Sequence, residues 1–209
     1  MPLLKRTAEP SVEPVTLAEA KVYLSEDNSD RDSLISGLIA SSRAVAENIT
    51  RRSLIETGWS LYLDGFYDWE SVYGNRYVNP PRFPGEIELR MCPATSAVVV
   101  YYTAPDGAHL GQSLLSATDD FQVDLISEPA RIRPNPDESW PETQAGEIHS
   151  VKISFTAGYG TTAASVPQAF KDFILARTAF LYENRGDAPA KEPEFLCGLL
   201  DDYRWGGHC

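Results

Sequence analysis

The stretch VKISFTAGYGTTAASVPQAF, Val151 to Phe170, decides the fold. Val151, Ile153 and Phe155 alternate with polar residues, the period of a strand with one buried face. Gly158 and Gly160 interrupt the pattern, and beyond Ser165 the apolar residues return at helical spacing. Gly158, Gly160 and Ala163 fit the G-x-G-x-x-A form of a dinucleotide fingerprint. That motif needs its helix to begin inside it, so that the first N–H groups meet a pyrophosphate, and it needs a βαβ unit around it. Here the helix-start signals, Ser165 as cap and Pro167 in the first turn, come after the motif. No strand follows the helix, and Glu183, at the distance where an acid would hold a ribose, falls within it. Gly158 and Gly160 are therefore read as a structural turn, supplying unusual backbone angles where a β region hands the chain back to helices. No cofactor-binding residue is assigned.

Working outward, residues 1–14 read as an extended, Pro-bounded arm. VTLAEAKVYL opens a short helix with Thr16 as N-cap and Glu19 completing a capping box. A second helix is expected from Asp30 to Thr50, capped by Ser29, with Leu34, Ile35, Leu38, Ile39, Val45 and Ile49 as a wide stripe. Gly37, Ser41 and Ser42 are small enough for a neighbouring helix to approach closely. Alternation then predicts strands at WSLYLD, EIELR, SAVVVYYT, DFQVDLI, ARIRP (a short edge candidate) and SVKISFT. Residues 65–85 form a long loop rich in aromatics, Gly and Pro. The closing helices run to Asn184, with Phe170, Phe173, Ile174, Arg177 and Leu181 on one face, and from Pro193 to Arg204. Strands grouped between helices predict an α+β fold rather than a parallel α/β sheet. The expected architecture is a small helical bundle of about four helices, with an antiparallel β domain inserted between the second and third. Its parts are 1–56, the arm and first two helices; 57–158, the β domain; and 159–209, the last two helices and tail.

Bulk properties exclude several classes. The chain has 209 residues, 43% of them hydrophobic, enough for one sizeable core or a core with a satellite domain. A formal net charge of −12 opposes gripping DNA from outside, which requires Lys and Arg on phosphates. No run approaches a membrane span, and the first residues lack the apolar region of a secretory signal. Three cysteines, Cys92, Cys197 and Cys209, predict no disulfide framework.

Candidate chemistry is sparse. His109, His149 and His208 are not at ligand spacing, so no metal site is expected. No G-x-S-x-G elbow occurs. The WPE at Trp140–Glu142 has the form of a phosphatase acid loop, but no Cys stands in the C-x5-R loop such enzymes need, and Trp140 is read as an aromatic plug of the β domain. Asp119-Asp120 and Asp201-Asp202 are adjacent pairs whose side chains point apart. No catalytic residue is assigned and no enzyme is expected. Tyr67, Trp69, Tyr73 and Tyr77 of the aromatic loop form a candidate contact surface without the basic groove of a single-strand binder.

The ordered set of segments resembles the head–tail connector (adaptor) proteins of long-tailed phages and phage-like gene transfer agents. The matching pieces are PVTLAEAKVYL, DSLISGLIASSRAVAENITRRSLI before a Trp-containing strand, VYYTAPDG, FQVDL, RIRP with WP, VKISFTAGYG, VPQAFKDFILARTAFLYENR and LLDDYRW. They span nearly the full chain in order. The longer 65–85 loop and the final GGHC have no counterpart in that pattern. The resemblance implies a helical bundle with a β insertion and a structural virion role at the head–tail junction, assembled in the host cytoplasm. It implies a homo-oligomeric ring, usually twelvefold, beneath the portal protein and above stopper or tail-side proteins, with DNA only as passing cargo and no cofactor. It points to the C-terminal region for portal docking, hence Leu199, Leu200, Tyr203, Arg204 and Trp205 as candidate contacts, with packing in the chain's own core as the other reading of the same residues. The acidic balance suits a lumen that DNA passes without being held. The alternatives are another ring component of the junction (a stopper or tail-completion protein) and, from a different class, a ligand- or carbohydrate-binding module using the aromatic loop.

Overall fold

The alternation at Val151–Ala157 builds the central strand of a five-stranded antiparallel sheet, with its odd-numbered residues buried. The computed structural model describes residues 3–66, 85–105, 113–115, 119–184 and 193–204. Within them the elements are β1 (Leu3–Arg6), α1 (Leu17–Leu24), α2 (Asp32–Thr50), β2 (Thr57–Leu63), β3 (Ile87–Leu89), β4 (Ala94–Tyr102), β5 (Ser113–Leu115), β6 (Phe121–Asp124), β7 (Ala130–Pro134), β8 (Val151–Ala157), α3 (Gln168–Glu183) and α4 (Glu194–Gly198). The fold class is α+β with antiparallel sheets, as expected. Three helices have two turns or more. The segment expected as one last helix is the five-residue α4 followed by a 3-10 turn at Asp201–Tyr203.

Two compact units emerge, and the chain passes between them three times. One comprises Met1–Glu9 and Thr57–Ala157; the other comprises Pro10–Glu56 and Gly158–Cys209. The first holds both sheets. One runs β1-β2-β8-β4-β5, the other β3-β7-β6. β4 is irregular against β8, with register shifts between Ala94 and Ser96 and between Ser96 and Val99. ARIRP is the middle strand of its sheet rather than an edge, because Ile132 pairs with Ile87 on one side and Val123 on the other. Its alternation buries Ala130 and Ile132 in a core with Leu61, Leu63, Leu89, Phe121, Ile153 and Phe155. Two strands are absent from the sequence reading, β1 and β5. The arm's first described residues pair with β2, from Leu3 opposite Tyr62 to Arg6 opposite Trp59. Trp140 is buried in this core, stacked on Phe66 at 4.7 Å and 6°, and its indole N–H donates to the Gly85 carbonyl at 2.6 Å.

The second unit holds the helices. α1 begins with the expected capping box: Glu19 N–H donates to Thr16 Oγ1, and Thr16 N–H to the Glu19 carboxylate. α2 begins at Asp32 with Arg31 at its N-cap; Ser29 contributes its carbonyl to the Asp32 N–H and no side-chain cap. α3 begins at Gln168 with Pro167 at the N-cap, and Ser165 closes a preceding 3-10 turn instead of capping the helix. Ile35, Ile39 and Ala46 of α2 share a core with Phe170, Phe173, Ile174 and Tyr182 of α3, Leu196 of α4, and Leu54, Ile55 and Leu200. Of the three small residues of α2, only Ser42 is buried, against Thr178 of α3, whose hydroxyl donates to it at 3.3 Å; Gly37 and Ser41 face solvent.

α2 also turns two of its three charged side chains inward. Arg43 and Glu47 are 5% and 3% exposed. The Arg43 guanidinium donates to Glu47 and to Glu13, each at 2.8 Å, so it ties the segment before α1 to α2. The other Glu47 oxygen accepts the Leu54 N–H at 3.0 Å, fixing the chain beyond the left-handed Arg51 that ends the helix.

Candidate interface and its supports

Gly158 and Gly160 form a backbone clamp within the helical unit. Their φ values are +147° and +152°. Glu56 N–H donates to the Gly160 carbonyl at 2.9 Å, and Tyr159 N–H to that of Leu54 at 3.4 Å. A Cβ on Gly158 would lie 2.4 Å from the Glu56 Cα, and one on Gly160 would lie 2.6 Å from the Ser165 hydroxyl. Both glycines are thus required by close approach as well as by φ. The clamp joins the points where the chain leaves and re-enters this unit. It leaves no helix N-terminus facing a phosphate, because α3 starts only at Gln168.

The C-terminal candidates divide by burial. Leu200 is fully buried in the helical core, and Leu199 and Tyr203 are half-buried against it. Tyr203 lies at 4.7 Å and 54° on Phe170, and Arg52 donates from Nε to its carbonyl at 2.9 Å. Arg204 faces Asp201 at 3.6 Å. Trp205 lies outside the described residues, as do Tyr67, Trp69, Tyr73 and Tyr77 of the aromatic loop. Among the described residues of the C-terminal segment, Phe195 is an exposed large apolar one. Val22 and Tyr23 of α1 are also exposed. In the β unit, Ile126 is 96% exposed at the tip of the β6–β7 hairpin. The sequence reading named none of these four as contacts; their signal is an apolar residue off the buried stripe.

The Ile126 tip is braced rather than loose. Asp124 accepts from the N–H groups of Ile126 and Ser127, each at 3.0 Å, from the Ser127 hydroxyl at 2.7 Å and from Arg131 at 2.9 Å. The Ser127 hydroxyl and N–H, with Arg131 beside them, hold the Asp124 carboxyl far below the usual carboxylate range. Four other described carboxyls depart from normal, Glu19, Glu26, Asp64 and Glu88. The Tyr182 hydroxyl donates to Glu26 and lowers it. Burial raises Glu88.

Among the described residues no three His, Cys, Asp or Glu side chains converge to hold a metal, and no helix is long and apolar enough to cross a membrane. An apolar hollow of the helical unit, about 450 Å³, is lined among others by Val12, Val15, Leu17 and Ile39, and its carboxylate, Glu13, is tied to Arg43. What the arrangement offers is surface: two small cores, a braced apolar tip and exposed aliphatic and aromatic residues.

No family model matches the chain, and no curated protein matches it. Solved structures do. A chain in the virion of a native gene transfer agent particle matches at a TM-score of 0.73 and 17% identity, over 99% of this chain and 97% of that one. A chain in the neck of an empty gene transfer agent particle, computed with C6 symmetry, matches at 0.73 and 19%, over 99% and 100%. One in the neck of the native particle, computed with C12 symmetry, matches at 0.68 and 18%, over 99% and 100%. From end to end, helical unit and β unit alike, this chain shares its fold with chains of gene transfer agent virions and necks.

Proposed function

We propose that this protein is a structural head–tail adaptor. It forms a homo-oligomeric ring beneath the portal protein, extends the DNA channel and joins the capsid vertex to the stopper or tail. The observation that carries this reading is the end-to-end fold match with neck chains, covering 99% of this chain and all of theirs. The C6 and C12 symmetries of those necks support a ring of six or twelve copies. In this reading the short α4 and its following turn are the fourth member of a helical bundle, and 57–158 is an insertion between its second and third helices. Assembly takes place in the host cytoplasm and the product is part of the virion.

The chemistry is burial between neighbours, with no bond made or broken. A heterologous contact that closes on itself generates such a ring. The formal charge of −12 gives DNA a lumen to which it does not adhere. Electron microscopy of the protein mixed with its portal, and of purified particles, tests the proposal. A ring at the portal exit is expected. Absence of the chain from purified particles, or turnover of a substrate traced to its side chains, refutes it. Co-purification with tail proteins but never with portal would move the assignment to a stopper.

A further inference from the structure

We propose that copies of this chain join through two unlike surfaces, the outward face of the five-stranded sheet on one copy and the α1–α2 corner on the next; the inference rests on the ring reading above. The sheet face is built by register. Leu3 of β1 stands opposite Tyr62 of β2, Tyr62 opposite Lys152 of β8, Lys152 opposite Tyr101 of β4, and Tyr101 opposite Leu114 of β5. One row thus crosses all five strands, with a lysine at its centre, a tyrosine on either side and a leucine at each edge. Adjacent residues such as Leu61, Ile153 and Val100 point into the core, so the row points away from it. Leu3 and Leu114 are 47% and 61% exposed, and the three central residues are half-buried. The Lys152 ammonium lies 5.8 Å from the centre of the Tyr101 ring.

This sheet is basic in an acidic chain. Its five strands carry Lys5, Arg6 and Lys152 and not one Asp or Glu, although the chain has 30 acids. Arg6 lies over Trp59 and pairs with Glu9, so Lys5 and Lys152 are the cations the outward face presents. Asp64, just past β2, accepts the His149 N–H at 2.9 Å.

The helical unit carries the opposite pattern where α1 gives way to α2. From Lys21 to Asp32, four acids stand against two cations. Lys21 pairs with Asp32 at 2.7 Å and Arg31 with Glu26 at 3.3 Å, and Asp27 and Asp30 are exposed. Val22, 81% exposed, shares an open hollow of about 530 Å³ with Ala18, Ser25 and Asp27.

Each surface is open to solvent in the single chain. Each sets apolar side chains beside charge, as protein contacts do, and the two are opposite in sign, which steers and registers their meeting. A ring of head-to-tail contacts needs two different faces on every copy, each fitting the other. A foreign partner would need only one of them. This chain carries both, two lysines to two aspartates, and the occupant is a second copy. With a formal charge of −12, most other pairings of copies set acid against acid.

Exchanging the charges tests the contact. One variant carries Lys5→Glu and Lys152→Glu; the other carries Asp27→Lys and Asp30→Lys. Each is expressed alone, and then both together with different tags, in cells that make particles without the wild-type chain. Each alone is expected in purified particles at less than about a tenth of the wild-type amount, because like charges face each other across the contact. Together they are expected in equal amounts, at no less than about half the wild-type content, because alternating copies restore opposite charge at every junction of an even-numbered ring. Mutual rescue also shows that both variants fold. Should circular dichroism show that Lys152→Glu prevents folding, Lys5→Glu against Asp27→Lys repeats the exchange on exposed side chains. Wild-type incorporation of either variant alone, or folded variants that fail to rescue each other, overturns the contact and leaves the adaptor reading standing. Particles that lack the wild-type chain overturn the adaptor reading itself.

Discussion

Replacing Glu47 with Ala measures how far the helical unit depends on its inward-facing charges. The side chain accepts from Arg43 and from the Leu54 N–H and is 3% exposed. Removing one partner of a buried ion pair costs about 3–5 kcal/mol. The lower end applies, because Arg43 keeps Glu13, whose side chain is 34% exposed and screened by solvent. The stranded Leu54 N–H adds about 1–3 kcal/mol. The expected loss is about 4 kcal/mol. With a urea slope of about 2 kcal/mol/M, the midpoint falls by about 2 M. Circular dichroism at the helical minimum is the appropriate assay, since every described helix lies in this unit. The double variant Arg43→Met, Glu47→Leu should recover more than half of the loss, because an apolar pair of similar volume restores packing without an uncompensated charge. A midpoint shift for Glu47→Ala below about 0.5 M, or a double variant as weak as the single one, refutes the reasoning.

Three further outcomes follow from the β unit and the clamp. Trp140→Ala removes a buried, stacked and hydrogen-bonded ring and should cost about 4 kcal/mol by urea unfolding, whereas Trp140→Phe, which loses mainly the bond to Gly85, should cost about 1. Gly158→Ala places a methyl group against the Glu56 main chain at positive φ, and a loss of about 3 kcal/mol is expected; an unchanged thermal midpoint would mean that the clamp is not required. Asp124 has a depressed folded pKa, so its stabilisation is fully present above the ordinary carboxylate value and is lost as pH falls through the folded one. The gap between wild type and Asp124→Asn should be constant near neutrality and close below about pH 3.9; a gap that widens with acid contradicts the assigned clasp.

The sequence was most legible where one period ran long. The alternation of β8 and the stripe of α2 needed only the rule that one face is buried, and the α1 capping box was written in Thr16 and Glu19. β1 escaped because four residues, Leu3 to Arg6, carry too little alternation, and their pairing depends on β2 far along the chain. The Arg43–Glu47 pair escaped because charged residues four apart ordinarily face water; its signal was their place four and eight residues beyond Ile39, on the side of the stripe. Ser165 and Ser29 had the right chemistry for caps but lost to neighbouring turns whose backbone groups already served the helix starts. The C-terminal candidates mixed core with surface for a physical reason: Leu199, Leu200 and Tyr203 have the same composition whether they pack inward or meet a partner, and only the path of the chain put Leu200 inside.

The interleaving of the two units has a consequence for biosynthesis. α2 emerges from the ribosome long before α3, its principal packing partner, because the strands between Thr57 and Ala157 are made in the interval. Ile35 and Ile39 wait without α3 while the sheets form, and the helical core closes only when Phe170, Phe173 and finally Leu200 arrive. A nascent or truncated chain thus has its strands but no finished bundle. Translation order thus leaves the helical core to close last.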